Sequence, residues 1–294
     1  MNSPFGNGSS MEIHRLHTEL LNRKVRVLVV GCGGTGSAII GGLPYLHLSM
    51  RAQGHPCGLR VTVMDGDTIS PANSVRQPFS RAELGLNKAI VLVHRLNIFW
   101  GLDWEAVPEN LTERHDIRQT DIVIGCVDSR AARAVIELQT THNSAVHYAL
   151  DIGNSESSGQ FILGEPLNAL NRRSRTRLRT AAELFPEIID AMLDNDGQPS
   201  CSTVEALERQ QCFVNTVLAQ HALALLARLF RYGQISHHGA FVDVANSRVV
   251  PLAVDPLVWH RVRKRGPQNA RSKRAAEGSR VSVGVGRAVA SKTL

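Results

Sequence analysis

VRVLVVGCGGTGSAII, from Val25 to Ile40, decides how the rest of the chain is read. A β-branched run meets glycines and then small residues, which predicts a buried strand, a tight turn and the start of a helix. Within it, GCGGTG (Gly31 to Gly36) places Gly31, Gly33 and Gly36 at the G-x-G-x-x-G spacing. Glycines let the backbone turn sharply and come close to a phosphate, while the helix N-terminus supplies free N–H groups and a partial positive charge. Taken alone, the segment fits dehydrogenases, methyltransferases and adenylating enzymes equally well.

Working outward, the helix is expected to run to about Met50, with a loop at Arg51 to Gly58 and a second strand at LRVTVMD, Leu59 to Asp65. Asp65 ends that strand where a carboxylate can accept hydrogen bonds from ribose hydroxyls; it lies 29 residues after Gly36, against the usual ~20, so the connecting loop carries an insertion. Further strands are expected at 121–126, 146–151 and 159–163, with helices near 85–99 and 130–140. Strand and helix alternate, so the fold class is α/β: a Rossmann-like, doubly wound, mostly parallel sheet. It should span about 20–256, after an N-terminal extension, 1–19. A stretch at 165–200 holds five arginines between Arg172 and Arg179 without an apolar face, and reads as a mobile crossover loop free to meet an acidic carrier, ATP phosphates or only solvent. A long helix is expected from Thr203 to Phe230, capped by Ser202 or Thr203, followed by two strands (240–244 and 248–254) around a turn at Asn246-Ser247.

The 294 residues carry 33 Lys and Arg against 26 Asp and Glu, a formal net charge of +7. Ten of the basic residues and one acid, Glu277, lie between Arg261 and Leu294, so the rest of the chain is close to neutral. Residues 257–294 therefore read as a basic disordered tail, able to aid solubility or to touch nucleic acid weakly through phosphates. No apolar run approaches the roughly 18 residues a bilayer requires, and no secretion signal is visible, so a cytoplasmic protein without membrane partners is expected.

The segment DGDTISPANSVRQPFSRAELGLNK, Asp65 to Lys88, separates the candidates. Asn73, Arg76, Gln77 and Lys88 form a polar and cationic set suited to holding a triphosphate and stabilising charge at an α-phosphate under attack. In GCVDSRAAR (Gly125 to Arg133), Asp128 falls just past a strand's carboxyl end, where ligands bind in open α/β sheets and a carboxylate beside phosphates is a natural Mg²⁺ ligand.

At this point the chain resembles the ThiF/MoeB family, prokaryotic relatives of ubiquitin-activating enzymes. The matching pattern is GCGGTGS at 31–37, D-x-D-x(5)-N-x-x-R-Q from Asp65 to Gln77, G-x-x-K from Gly85 to Lys88, and V-D-x-x-x-x-R from Val127 to Arg133. The resemblance implies an ATP- and Mg²⁺-dependent adenylyltransferase acting on a small ubiquitin-like or sulfur-carrier protein. Gly31, Gly33, Gly34, Gly36, Asp65, Asp67, Asn73, Gln77 and Arg133 would bind the nucleotide, with Arg76, Lys88 and Asp128 catalytic and Asp128 holding the metal. It further implies a homodimer, with Arg15 or Arg23 reaching across. The segment PSCSTVEALERQQCFVN, Pro199 to Asn215, is similar to one in the ThiF-like proteins of plasmid-borne PRTRC cassettes, which also encode ubiquitin-like and JAB-peptidase-like proteins.

One departure concerns cysteine. The family usually carries two C-x-x-C pairs for structural zinc, yet no two of the five cysteines here are three positions apart, so no zinc is expected. The histidine pairs His237-His238 and His142 with His147 lack a matching set of Cys or carboxylate ligands. Cys201 is the best candidate to accept an activated carboxyl, since it follows the Arg-rich loop and precedes an expected helix N-terminus that would lower a thiol pKa. Cys212 falls inside that expected helix, Cys32 inside the glycine turn, and Cys126 at the end of a buried strand. Two other readings stay open: an NAD(P)-dependent oxidoreductase, and a plasmid-maintenance adaptor without catalysis whose tail holds DNA.

Overall fold

A computed structural model describes residues 12–75, 77–174, 176–194 and 211–265. In chain order the elements are β1 (His14–Arg15), β2 (Val25–Val30), α1 (Gly34–Ala52), β3 (Leu59–Met64), α2 (Lys88–Trp100), β4 (Glu105–Val107), β5 (Ile122–Gly125), α3 (Arg130–His142), β6 (Tyr148–Asn154), β7 (Ser158–Gly164), α4 (Ala181–Leu184), α5 (Val214–Tyr232), β8 (Gln234–Ile235), β9 (His237–Asp243), β10 (Arg248–Ala253) and α6 (Pro256–Arg265). The chain divides into two units at Asp255/Pro256, and α6 is the described part of the second. Among the described residues no helix is long and apolar enough to cross a membrane.

Eight strands form one sheet in the order β10-β9-β7-β6-β5-β2-β3-β4. The strands from β4 through β3, β2 and β5 to β6 are parallel, and β7, β9 and β10 extend the sheet antiparallel. From β2 the chain winds through β3 to β4 on one side, then returns to β5 and β6 on the other. The order therefore reverses beside β2, and in open α/β sheets such a crevice at the carboxyl ends is where ligands bind.

The alternation of strand residues explains why the central run reads as continuously apolar. Leu28, Val30, Met64 and Val123 pack with Ile136 of α3, Leu111, Ile117 and Val146 in one core. Val27, Val29, Val61, Val63, Ile122 and Ile124 point to the other face and are equally buried. Both faces of the parallel strands are covered, which is the condition for β-branched runs without a polar alternation.

Four sequence expectations are corrected here. The stretch after β7 is not a solvated charge run in its described part, up to Asp194. Leu178 is fully buried and Arg177 nearly so; the Arg177 guanidinium donates to both carboxylate oxygens of Glu183 (2.8 and 2.6 Å) and to the Glu165 carbonyl (2.6 Å). Arg179 also donates to Glu183, at 2.8 Å. A single carboxylate, Glu183, six residues from Arg177 and four from Arg179, meets both arginines, which charge counting cannot reveal; Arg172 and Arg173 are exposed. Second, residues before 20 are not all an extension, because β1 pairs antiparallel with β8 (His14↔Ile235). Third, the long helix begins at Val214, after a turn that includes Cys212 and Phe213; the cap expected at Ser202 or Thr203 lies outside the described residues. Fourth, residues 256–265 are helical, with Pro256 in the first turn where its missing N–H costs nothing.

The refolded Arg-rich stretch places a carboxyl in an unusual setting. Glu137 of α3 accepts from Thr180 Oγ1 at 3.2 Å, and burial, then the Glu183 carboxylate, push its pKa up from 4.5 to about 7. A folded-state value above the unfolded one means that stability is full below about pH 4.5 and is lost as the pH rises through 7. Over that window the loss is of the order of 3 kcal/mol. Glu137→Gln, which keeps an acceptor for Thr180, should leave stability near the wild-type value at about pH 5 and raise it at about pH 8. Urea unfolding at the two pH values checks this; equal stability of variant and wild type at the higher pH would contradict it.

Candidate active site

The glycine loop is dictated by close approach. Gly31 has φ +97°, and a Cβ there would stand 2.7 Å from the Cys126 carbonyl oxygen; a Cβ on Gly36 would stand 1.9 Å from the Gly31 carbonyl oxygen. The turn thus presses α1 onto the ends of β2 and β5, and no side chain fits at either position. Gly33 is the N-cap of α1 and supplies no side-chain hydrogen bond, and the space beside it is open. The first-turn N–H groups of α1 therefore remain available to an anion.

Asp65 follows β3 and is buried. One of its carboxylate oxygens accepts from the Cys32 amide, the other from the Asp67 amide at 2.7 Å. The carboxylate thus ties the glycine loop to the segment that follows it, leaving one lone pair per oxygen. Burial raises its pKa, opposed by the two amide bonds and Lys88.

Lys88 opens α2 and is 6% exposed, with its Nζ 2.8 Å from Asp67 Oδ2. Asn87, the N-cap, accepts from the Ile90 amide at 3.0 Å and donates to the Asp65 and Asp67 carbonyls. An ammonium has three protons, so Lys88 can keep Asp67 and still donate to a phosphate.

Asn73 accepts from the Ser70 amide (2.8 Å) and hydroxyl (3.1 Å), shaping its own turn. Gln77 Oε1 is buried and has no hydrogen-bond partner among the described residues. No described hydrogen bond joins Asn73 or Gln77 to the loop, and Arg76 lies outside the described residues. Asp128 is exposed two residues beyond Cys126, and no hydrogen bond or ion pair of its carboxylate is described.

Arg133 is turned away from solvent onto Asp151, Nε to Oδ1 3.1 Å. Burial raises the Asp151 pKa and Arg133 opposes it. Arg133 also lines a cleft of about 460 Å³ with Gly153, Asn154, Ser158, Gln160 and Phe241.

Three residues that sequence reasoning gave no role complete the floor. Thr35 Oγ1 donates to Asn215 Oδ1 at 3.0 Å and lies 3.4 Å from Asn154 Oδ1, so the first turn of α5 and the end of β6 both grip the glycine loop. Asn215 ends the segment quoted for the PRTRC resemblance, but no spacing rule connects positions 35 and 215. The thiols of Cys32 and Cys126 are buried and burial pushes both well up, which removes them as nucleophiles. Cys212 is exposed ahead of α5, not inside a helix, and Cys201 lies outside the described residues.

The loop, Asp65, Asp67 and Lys88 form one bonded set, and Asp128 follows the strand that touches the same loop. The ThiF family model matches residues 11–244. The chain belongs to the ThiF family. The fold of this ThiF-family chain is similar to that of E. coli MccB with ATP (16% identity, TM-score 0.51, covering 81% of this chain and 65% of that one). It is also similar to E. coli MccB with AMPCPP and MccA (16%, 0.52, 78% and 64%) and to PaaA (13%, 0.51, 78% and 64%). The match spans less than two thirds of each of those chains. No curated protein matches the chain in sequence.

Proposed function

We propose that the protein uses ATP to adenylate the C-terminal glycine carboxylate of a small ubiquitin-like or sulfur-carrier protein, releasing pyrophosphate. The observation that carries this reading is the convergence, at the carboxyl ends of β2, β3 and β5, of an open helix N-terminus at Gly33, a buried lysine at Lys88 and an exposed carboxylate at Asp128. A hydride-transfer site needs no such lysine and carboxylate.

A carboxylate is a poor electrophile, and the mixed anhydride with AMP corrects that. The carrier's carboxylate oxygen bonds to the α-phosphorus, the bond from that phosphorus to the bridging oxygen breaks, and pyrophosphate departs with the electron pair. The α1 N-terminal amides and Lys88 are placed to hold phosphate charge as it develops, in a fixed arrangement that needs no reorganisation. Asp65 fixes the loop and offers its remaining lone pairs to the ribose. The donor chemistry of Asp128 fits Mg²⁺, a hard cation that takes one or two carboxylates plus phosphate oxygens. When bound, the metal supplies charge neutralisation on the phosphates. The cleft lined by Arg133, Asn154 and Gln160 adjoins the loop through Asn154 and has room for an extended carrier tail. The MccB neighbour was solved with ATP and, in another structure, with MccA, which supports a nucleotide and a peptidic substrate for this shape of site.

The finer assignments belong to the same proposal: the PRTRC type, a homodimer, a cytoplasmic setting and a tail that touches nucleic acid. Arg23 already donates to both oxygens of Asp121 (2.7 and 2.8 Å), so the exposed Arg15 is the better arginine for a neighbouring protomer's site.

Whether an acyl thioester follows is tested at Cys201. Cys201→Ser should keep pyrophosphate exchange, because adenylation precedes transfer, and lose a thiol-sensitive adduct with the carrier on a non-reducing gel. An adduct retained in Cys201→Ser and lost in Cys212→Ser would move the role to the exposed thiol ahead of α5. Wild-type exchange without any adduct would mean direct transfer of the acyl group to an external sulfur or amine.

A further inference from the structure

The opposite edge of the parallel sheet carries a cluster that the adenylation chemistry does not use. Asp121 and His147 stand immediately before β5 and β6, at their amino ends, whereas Gly31, Asp65 and Cys126 follow strand carboxyl ends. Strands of four to seven residues at about 3.3 Å per residue put the two edges some 13–23 Å apart. Over the amino edge passes the segment after β1, with His17 preceding a single 3-10 turn, Thr18–Leu21, that holds Glu19.

His17, Glu19 and His147 each offer one ligand atom, and the three atoms all lie within 4.8 Å of one another. The two imidazole rings meet nearly edge to face, centroids 5.0 Å apart at 80°, and the His147 Nε2 already contacts the Glu19 carboxylate. Behind each ring stands a buried carboxylate. Glu165 Oε1 is 2.7 Å from His17 Nε2, and Asp121 Oδ1 is 3.9 Å from His147 Nδ1, a buried nitrogen with no hydrogen-bond partner. Arg23 and Arg26 hold Asp121 in turn. A carboxylate hydrogen-bonded to one nitrogen of a histidine is the outer arrangement that orients an imidazole on a metal; His17 has it in Glu165, whereas Asp121 stands beside His147 beyond hydrogen-bond distance. His147 is buried, His17 partly exposed and Glu19 more than half exposed, so the cluster opens to solvent on one side.

We propose that His17, Glu19 and His147 bind a divalent transition metal ion of the Zn²⁺ class, with solvent completing the coordination, and that the ion clips the N-terminal segment to the amino edge of the sheet. Two imidazoles and one carboxylate suit Zn²⁺, Co²⁺ or Ni²⁺; Mg²⁺ and Ca²⁺ prefer all-oxygen sets. The site shares no ligand with a tetrathiolate centre, so the argument from cysteine spacing, which led to the expectation of no zinc, does not reach it. Sequence reasoning paired His147 with His142 and missed Glu19 and His17, 128 and 130 positions away.

The test is Zn²⁺ titration of the metal-stripped full-length protein, with Co²⁺ as a spectroscopic probe. The expected result is one Zn²⁺ per chain after desalting, a higher melting temperature with the ion, and a Co²⁺ ligand-field band. Glu19→Gln, a surface change, should weaken Zn²⁺ about tenfold or more and alter the Co²⁺ band. His17→Ala should abolish both while circular dichroism stays native, and pyrophosphate exchange by Glu19→Gln should equal that of wild type. Absence of stoichiometric Zn²⁺, or retention of it unchanged in both variants, would overturn the proposal and leave the cluster as a hydrogen-bonded His–Glu network.

Discussion

Asp128→Ala should lower carrier-dependent pyrophosphate exchange by about 10³-fold, the scale of losing a metal's several kcal/mol of charge stabilisation, while the melting temperature of the free protein stays that of wild type. The side chain is exposed and no partner of its carboxylate is described, so its removal leaves no buried group unpaired. The comparison that isolates the metal is Asp128→Asn, which keeps the shape and an acceptor oxygen but not the charge. Both variants should bind ATP alone more weakly when Mg²⁺ is present and indistinguishably from wild type when it is chelated. Exchange within threefold of wild type in folded Asp128→Ala would remove the residue from the site.

Gly36→Ala is expected to be more disruptive than its single methyl suggests. The new Cβ would lie 1.9 Å from the Gly31 carbonyl oxygen and 2.8 Å from its carbon, and the backbone on that side is held by the Gly31 amide donating to the Met64 carbonyl at 2.9 Å and the Cys32 amide donating to Asp65. The loop must open or α1 must shift, at a cost of about 1–3 kcal/mol for overpacking, and the amides that face the phosphates move with it. The stabilisation by ATP seen in a thermal melt should vanish. Gly41→Ala, five residues on in the same helix and with nothing within 4 Å of the added Cβ, is the control and should gain up to about 1 kcal/mol from helix propensity. An ATP shift in Gly36→Ala equal to that of wild type would mean that nucleotide does not sit on this loop.

The sequence made most of the fold legible because the informative patterns are local. Val25–Val30, the glycine turn and the helix after it are encoded in sixteen consecutive residues, and β3, β5 and β7 were placed within a residue or two. Part of what it concealed was local: Thr180-x-x-Glu183 is a capping-box spacing, and the same Glu183 takes Arg177 and Arg179 out of what reads as a free charge run. The rest depends on partners distant in sequence. The helix expected as one piece from Thr203 is broken at residues 211–213, where the chain turns before α5 begins at Val214; the part before residue 211 lies outside the described residues. Of the candidate site, Gly31 to Gly36, Asp65, Asp67 and Lys88 could be named from motif spacing, and they form one bonded set. Thr35, Asn154 and Asn215 could not, since their only link is the fold that brings the ends of β6 and α5 to α1. Arg133 turned out to face Asp151 and the adjoining cleft.

The most direct test of the adenylation account is ATP–pyrophosphate exchange by the full-length protein, measured against each small Gly-Gly-ended protein encoded nearby, with NAD and ATP compared as thermal stabilisers. The account predicts Mg²⁺-dependent exchange with at least one such carrier, lost when the carrier's terminal glycine is removed, and a melting temperature raised by ATP but not by NAD. Stabilisation by NAD alone, with no exchange for any carrier, would contradict it.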